Sequence, residues 1–206
     1  MKPEGSLIII SAPSGTGKTS LVTAVCKELK DIRKSISHTT REIRSGEESG
    51  VHYNFVTIGQ FDSILRDGAF LEHAEVFGNF YGTSREWVLD TLKQGIDVIL
   101  EIDWQGAAQI RKKIPSAISI FILPPSSKVL RDRLVGRNKD HPEKIEIRLA
   151  QAKVEVSHYN EYDYLIVNDD FDLALRQLIG IIAAARLRVA QQKQVWQPLI
   201  DDLIKP

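Results

Sequence analysis

Ala12-Pro13-Ser14-Gly15-Thr16-Gly17-Lys18-Thr19 decides how the chain is read. The stretch follows the apolar run Leu7-Ile8-Ile9-Ile10 and leads into a helical pattern that begins near Gly17. Strand, glycine-rich turn and helix in that order make a phosphate-binding loop. Backbone N–H groups exposed by Gly15 and Gly17 wrap a polyphosphate, the helix N-terminus adds its positive end, Lys18 supplies a point charge and Thr19 offers a hydroxyl to Mg²⁺. The general pattern asks for glycine at position 12, where an alanine keeps the tight turn provided its φ stays negative. The bland alternative is an ordinary Gly/Ser/Thr turn between a strand and a helix.

Around this loop the composition sets bounds. In 206 residues, 27 Lys plus Arg balance 27 Asp plus Glu, so the chain has no overall basic field and nucleic acid is not expected as its main partner. A phosphate ligand has to be met by local arginines instead. The length suits one well-buried core with smaller inserted subdomains. Cys26 is the single cysteine, which excludes an intrachain disulfide framework and a cysteine-based zinc site. Val22, Val25, Cys26 and Leu29 recur at helical spacing, so Cys26 reads as a small core hydrophobe. No apolar stretch reaches membrane-spanning length, and Met1-Lys2-Pro3-Glu4-Gly5 lacks a signal peptide's apolar region; the expectation is a cytoplasmic protein.

Taken in order, 6–12 reads as a buried central strand and 20–30 as the helix it feeds. A short β-like stretch, 34–38, runs into a polar loop carrying Arg41 and Arg44, then an aromatic strand, 53–56. Phe61, Ile64 and Leu65 stripe a short helix ended by Gly68. Residues 70–77 are expected to be extended, with Leu71, His73, Glu75 and Phe77 on one face and Phe70, Glu72, Ala74 and Val76 on the other. Thr83 or Ser84 caps a helix through about Lys93, closed by Gly95. The apolar strand 97–103 ends in Glu101 and Asp103, spaced to share a face at the end where open α/β sheets bind ligands; acids simply solvating a strand end read the same way. Helix 104–113, strand 117–123 and helix 127–137 follow, and this alternation implies an α/β fold with a parallel sheet and right-handed crossovers.

Residues 126–157 are strongly charged. Arg133 and Arg137 lie one helical turn apart, and Arg148 returns on a helix striped by Ile145, Leu149, Ala152 and Val156. Convergent arginines on two helices suit a movable lid, although two solvated amphipathic helices give the same pattern. Residues 164–167 form a last strand and Leu175, Leu178, Ile179 and Ile182 stripe a long final helix, after which the Gln-rich tail 191–197 is expected to fray or dock weakly. Arginines far from the phosphate loop suggest a second phosphate-bearing ligand. Arg41 and Arg44, with phenols from Tyr53 and Tyr81, can hold an isolated phosphate, since guanidinium groups match its oxygens in pairs; each of the four also suits a plain surface position.

Five separated blocks, 11–19, 37–47, 70–83, 101–106 and 164–170, resemble the bacterial guanylate kinases in order, and the likeness runs from about residue 5 to 190. Bacterial members of that family commonly carry alanine at the place of Ala12. The resemblance implies a three-layer P-loop fold with a central parallel sheet, plus a small mixed GMP-binding insert and a helical lid. It divides the chain into a core (1–34, 96–125 and 158–206), a GMP-binding region (35–95) and a lid (126–157). It implies Ala12, Pro13, Ser14, Gly15, Thr16, Gly17, Lys18 and Thr19 for ATP, with Asn168 near the adenine and Thr19 on Mg²⁺. Ser37, Arg41, Arg44, Tyr53, Glu72, Tyr81, Thr83, Glu101 and Asp103 line the GMP site, and Lys18, Arg133, Arg137 and Arg148 surround the migrating phosphoryl group. Glu101 stands where the family's Asp-Ile-Asp motif starts with aspartate, which leaves Asp103 the firmer ligand residue.

Glu72 also has a chemical reason of its own. The Watson–Crick edge of guanine presents two N–H donors side by side, which one carboxylate accepts together, while adenine turns an acceptor toward it. The expected reaction is ATP plus GMP giving ADP and GDP, with dGMP a further acceptor. Its partners are these small molecules, with no nucleic acid and no membrane, in a chain free to form a homo-oligomer. The rival reading is a scaffold module that binds phosphopeptides through the GMP site; such domains lose parts of the ATP loop, which is intact here.

Overall fold

The computed structural model describes residues 3–137 and 142–205, with side chains for 3–136 and 145–205. Chain order is β1 (Leu7–Ser11), α1 (Lys18–Glu28), β2 (Ile32–Lys34), β3 (His38–Thr39), β4 (Asn54–Phe55), α2 (Ile58–Arg66), β5 (Phe70–Val76), β6 (Asn79–Ser84), α3 (Arg85–Lys93), β7 (Asp97–Glu101), α4 (Trp104–Lys113), β8 (Ile118–Leu123), α5 (Ser127–Arg137), α6 (Pro142–Ser157), a 3₁₀ turn (Tyr159–Glu161), β9 (Tyr164–Val167), α7 (Phe171–Arg186) and α8 (Val189–Leu203).

The main sheet is five-stranded and parallel, in the order β2-β7-β1-β8-β9. β1 is the middle strand, and its all-apolar sequence follows from burial on both faces. Alternate side chains serve two cores: Ile8 and Ile10 join Leu21, Val22 and Val25 of α1 and Leu175, Leu178 and Ile182 of α7, whereas Leu7 and Ile9 join Val88 and Leu92 of α3 and Ala107 and Ile110 of α4. The result is a helix–sheet–helix sandwich whose strand C-termini share one edge. Cys26 packs half-buried at the margin of the first core, and burial pushes its thiol pKa up, in keeping with an unreactive role.

A second, mixed sheet, β4-β3-β6-β5, stands beside that edge. Phe61 of α2 is fully buried beneath it, 4.6 Å from Phe70 and 5.5 Å from Phe80 between ring centroids. Side chains of α4 brace β5: Gln109 accepts from the His73 N–H at 3.2 Å and donates to the His73 carbonyl at 2.6 Å, and Lys113 donates to the Leu71 carbonyl at 2.6 Å.

Several expectations need correction. The stretch 34–38 is not one strand: β2 ends at Lys34 in the main sheet and β3 begins at His38 in the small one, with Ser35 turning between them. β5 pairs with β6, which the alternation did not reveal, through a turn where Phe77 takes φ 52 and Gly78 φ 70, so Phe77 leaves the strand. A bulge between Phe70 and Glu72 buries Phe70, Leu71 and Glu72 together, and strict alternation starts only at Glu72. Asp103 lies past the strand end and caps α4. The Gln-rich tail is helical, part of α8, and Gln194 accepts the Glu4 N–H at 2.8 Å.

Leu149 and Ala152 of α6 pack on Leu130 and Leu134 of α5, and Arg131 pairs with Glu146 at 2.8 Å. Just past the C-terminal end of α6, His158 stacks on Trp104 with centroids 3.8 Å apart, and Glu161 joins His158 to Arg111.

Candidate active site

One cleft of about 1190 Å³ runs from the glycine-rich loop at the end of β1, past the end of β7, to the small sheet. Ala12, Pro13, Ser14, Gly15, Gly17, Lys18 and Thr19 line one end, and Ser37, Arg41, Arg44, Tyr53, Glu72 and Tyr81 the other, with Glu101, Asp103 and Arg148 between them. Gly15 and Gly17 take φ 90 and 95, a region that side chains other than glycine's rarely adopt, while Ala12 is not among the positive-φ residues. A Cβ on Gly17 would sit 2.6 Å from the Asn168 amide nitrogen. The loop therefore needs glycine both for its turn and for what packs behind it.

The remaining expected residues support the loop or the floor rather than line the cleft. Thr16 is buried; its hydroxyl donates to the Pro13 carbonyl at 2.7 Å, and its own carbonyl accepts from Asn168 at 2.7 Å and from Arg133 at 3.3 Å. Arg133 also reaches the Asn168 carbonyl at 3.4 Å. Asn168, 4% exposed, thus holds the back of the phosphate loop. Arg148 comes over the loop from α6 and donates to the Ser14 hydroxyl at 2.6 Å. The side chain of Arg137 lies outside the described residues.

At the opposite end, Arg41 donates to the Glu47 carboxylate at 2.8 Å and lies over the Tyr53 ring, 5.4 Å from its centroid. Burial alone would lower the guanidinium's pKa, but the Glu47 carboxylate and the Tyr81 phenol together raise it above its ordinary value. Glu47 also accepts the Arg44 N–H at 2.8 Å, so a single carboxylate shapes the arginine loop. Tyr53 and Tyr81 meet edge to face with centroids 5.9 Å apart. Lys34 pairs with Glu101 at 3.4 Å, which turns that acid toward the sheet edge. Asp103 accepts the Gly106 N–H at 2.9 Å and the Gln105 side-chain amide at 3.0 Å.

Glu72 is the most unusual group in the cleft. It is 2% exposed and accepts the buried Thr83 hydroxyl at 2.5 Å. A Cβ on Gly106 would stand 2.4 Å from its Oε2. Burial pushes the carboxyl up to about 7, against the Thr83 hydrogen bond and with help from Asp103. A carboxylate this desolvated at the lining of a cleft is poised for a ligand that brings its own N–H donors.

Sequence reasoning missed Glu155, Glu47 and Lys34, all of which line the cleft. Glu155 and Lys34 sit on amphipathic elements where a charged residue carries no distinguishing signal. Glu47 followed the arginine pair by only a few residues, and a carboxylate that close to two guanidiniums was a usable hint.

The guanylate kinase family model matches residues 4–185. The chain is 56% identical over 204 residues to a guanylate kinase of Saccharophagus degradans, spanning 99% of this chain and 100% of that protein. Against the guanylate kinase of Escherichia coli K12 the identity is 57%, over 98% of each chain. A crystal structure of the guanylate kinase from Anaplasma phagocytophilum superposes with a TM-score of 0.78 at 35% identity, covering 93% of this chain and 91% of that one. With a phosphate loop at one end of its cleft, an arginine-and-tyrosine cradle at the other and relatives along nearly its whole length, the chain belongs to the guanylate kinase family.

Proposed function

We propose that the chain transfers the γ-phosphoryl group of ATP to GMP, and also to dGMP, by in-line displacement without a general base. The observation that carries the acceptor's identity is the buried carboxylate of Glu72, open to the same cleft as the phosphate loop. Guanine N1–H and N2–H donors complete the hydrogen bonding that Thr83 begins, whereas an adenine would face Glu72 with an acceptor. Arg41, Arg44, Tyr53 and Tyr81 hold the GMP phosphate, with Ser37 and Asp103 alongside. The nucleophile is a phosphate oxygen already anionic at neutral pH, so positioning and charge neutralisation supply the catalysis.

Lys18 and the loop N–H groups take the ATP phosphates, Arg148 approaches from the lid, and Arg133 and Asn168 keep the loop in shape. Among the described residues no group of three or more His, Cys, Asp or Glu is placed to hold a metal unaided. Mg²⁺ arriving with ATP would be bound mainly by phosphate oxygens and water with the Thr19 hydroxyl, where the ion would neutralise charge on the transferred group. We assign the core to 1–34, 96–125 and 158–206, the GMP-binding region to 35–95 and the lid to 126–157; closure of the last two over the cleft would exclude water as a competing acceptor. The cellular role is nucleotide recycling toward GTP in the cytoplasm, a setting supported by the single free cysteine.

A coupled ADP-release assay with ATP and GMP, dGMP, AMP, CMP or UMP tests the reading. Turnover with GMP and dGMP is expected, and AMP used as well as GMP would overturn the role of Glu72. Lys18→Ala is expected to keep a cooperative melt and lose transfer; an undiminished rate would remove the loop from the reaction.

A further inference from the structure

Arg41 and Arg44 sit in the loop between β3 and β4, where residues 41–47 belong to neither a strand nor a helix. Glu47 holds that loop in shape. One of its carboxylate oxygens accepts from the Arg41 guanidinium at 2.8 Å and the other from the Arg44 backbone N–H at 2.8 Å, while the Glu47 N–H returns to the Arg44 carbonyl at 3.0 Å. Arg41 also donates to the Glu42 carbonyl at 2.7 Å and lies over the rings of Tyr53 and Phe55, 5.4 and 5.6 Å from their centroids. Two of the five N–H donors of this guanidinium are spent inside the loop in this way, which leaves others for a ligand in the cleft that Arg41 lines. The hydrogen bond from Arg41 holds the Glu47 carboxyl below the ordinary carboxylate range, so it is ionised at neutral pH. Serving both arginines at once takes a carboxylate, because an amide of the same shape accepts through one atom and turns a donor toward the second N–H.

We propose that Glu47 is a positioning residue that acts through Arg41 and Arg44, and that it sets how strongly the site prefers a 5′-phosphorylated guanine nucleoside to the bare nucleoside. The inference rests on reading these two arginines as the cradle of the GMP phosphate. A long, rotamer-rich side chain loses freedom when it closes on an anion, and Glu47 removes part of that freedom before the ligand arrives. Its own charge works the other way, since a carboxylate repels a phosphate. The two effects differ in size: a charge-assisted hydrogen bond is worth about tenfold or more, repulsion between salt-screened charges at a loop surface about fivefold or less, so pre-ordering wins. The nucleophile is an oxygen of the same phosphate, so a cradle loosened by loss of Glu47 misplaces the attacking atom as well as weakening its binding.

Calorimetric titration of the purified enzyme with GMP, followed by competition with guanosine, tests this with Glu47→Gln and Glu47→Asp beside the unaltered chain. E47Q is expected to weaken GMP binding about three- to tenfold and to leave guanosine, which brings no phosphate to the cradle, within about twofold. In turnover the KM for GMP rises and kcat falls, while the KM for ATP stays within about twofold. E47D keeps both acceptor oxygens and the charge on a shorter stem, and is expected to bind GMP more tightly than E47Q. Unchanged or tighter GMP binding in E47Q overturns the proposal, because Glu47 then acts only as a repelling charge. An equal loss for guanosine, or E47D no tighter than E47Q, overturns it as well, because the loop is then merely disturbed. If E47Q does not give a cooperative melt, Glu47→Ala is measured in its place with the same expectation. Failure here leaves GMP-dependent turnover by the unaltered enzyme intact, so it is distinguishable from failure of the phosphotransferase reading.

Discussion

The Thr83 hydroxyl donates to the Glu72 carboxylate across the hairpin of β5 and β6, and both groups are buried at the floor of the cleft. The pairing leaves the second carboxylate oxygen against the backbone of Gly106. Glu72 is thereby oriented before any ligand binds, which reduces the ordering cost of recognition. Replacing Glu72 by Gln keeps an acceptor for Thr83 but puts an amide donor where guanine also brings donors. E72Q is expected to lose GMP turnover by at least roughly tenfold, since a charged hydrogen bond is worth about 1.5–3 kcal/mol. Initial rates at subsaturating GMP measure it.

The same burial makes Glu72 a cost to the empty fold. Its carboxyl titrates near 7 in the folded chain and at an ordinary 4.5 when unfolded, so the folded state binds more protons between these values and stability falls as pH rises from about 4.5 to 7. Full conversion of that shift is on the order of 3 kcal/mol. E72Q is therefore expected to unfold at higher denaturant than the parent above pH 7, with the gap closing below pH 4.5. Paired urea titrations at pH 8 and pH 4.5 check it.

Recognition of guanine should carry the same titration with the opposite consequence. The donors of guanine favour the ionised carboxylate, so GMP affinity is expected to fall as pH drops below about 7 and to do so less steeply in E72Q. The GMP phosphate itself titrates near about pH 6, which is why the comparison with the variant, rather than the parent's profile, isolates Glu72. Calorimetry of GMP binding from pH 6 to 8 provides the measurement.

Gly106 is needed for space. A methyl group there would come within 2.4 Å of Glu72 Oε2 and 3.1 Å of its Cδ, and neither the helix backbone of α4 nor the buried carboxylate can yield without losing the Thr83 bond. Gly106→Ala is expected to raise the KM for GMP at least about tenfold while ADP affinity changes less than about twofold, because overpacking of this kind costs about 1–3 kcal/mol at the site it distorts.

Asn168 braces the other half. Its amide donates to the Thr16 carbonyl from 152 residues away, and Arg133 reaches both carbonyls. Asn168→Ala leaves the buried Thr16 carbonyl short of a donor, for an expected loss of about 1–3 kcal/mol in unfolding free energy. The KM for ATP is expected to rise more than that for GMP, a split that steady-state kinetics with each substrate varied would reveal.

Much of this architecture could be read along the chain. Strand, glycine turn and helix around 7–28, the helices Trp104–Lys113 and Ser127–Arg137, and the strand Tyr164–Val167 appear where their periodicity and punctuation put them. The tight turn is a local matter as well, since Gly15 and Gly17 supply positive φ regardless of what packs nearby. What failed was local pattern broken by sheet membership. Residues 34–38 look like one short strand, yet Lys34 and His38 bond to different sheets, and β6 is held mainly by its partners β3 and β5.

The division between sequence and structure follows the range of the forces involved. A phosphate loop is made by contiguous residues whose backbone angles and helix N-terminus carry the function, and so its presence, and with it the nucleotide, was determined by the sequence itself. The burial of Glu72 depends on Thr83 from the next strand, Gly106 from α4 and the Gln109 and Lys113 braces that press α4 onto β5. Its raised pKa comes from desolvation and charges brought together across the fold, just as the placement of Asn168 behind Thr16 comes from residues far apart in the chain. Only the tertiary structure decided these, because the energy of a buried charge is set by what surrounds it in space and not by its neighbours along the chain.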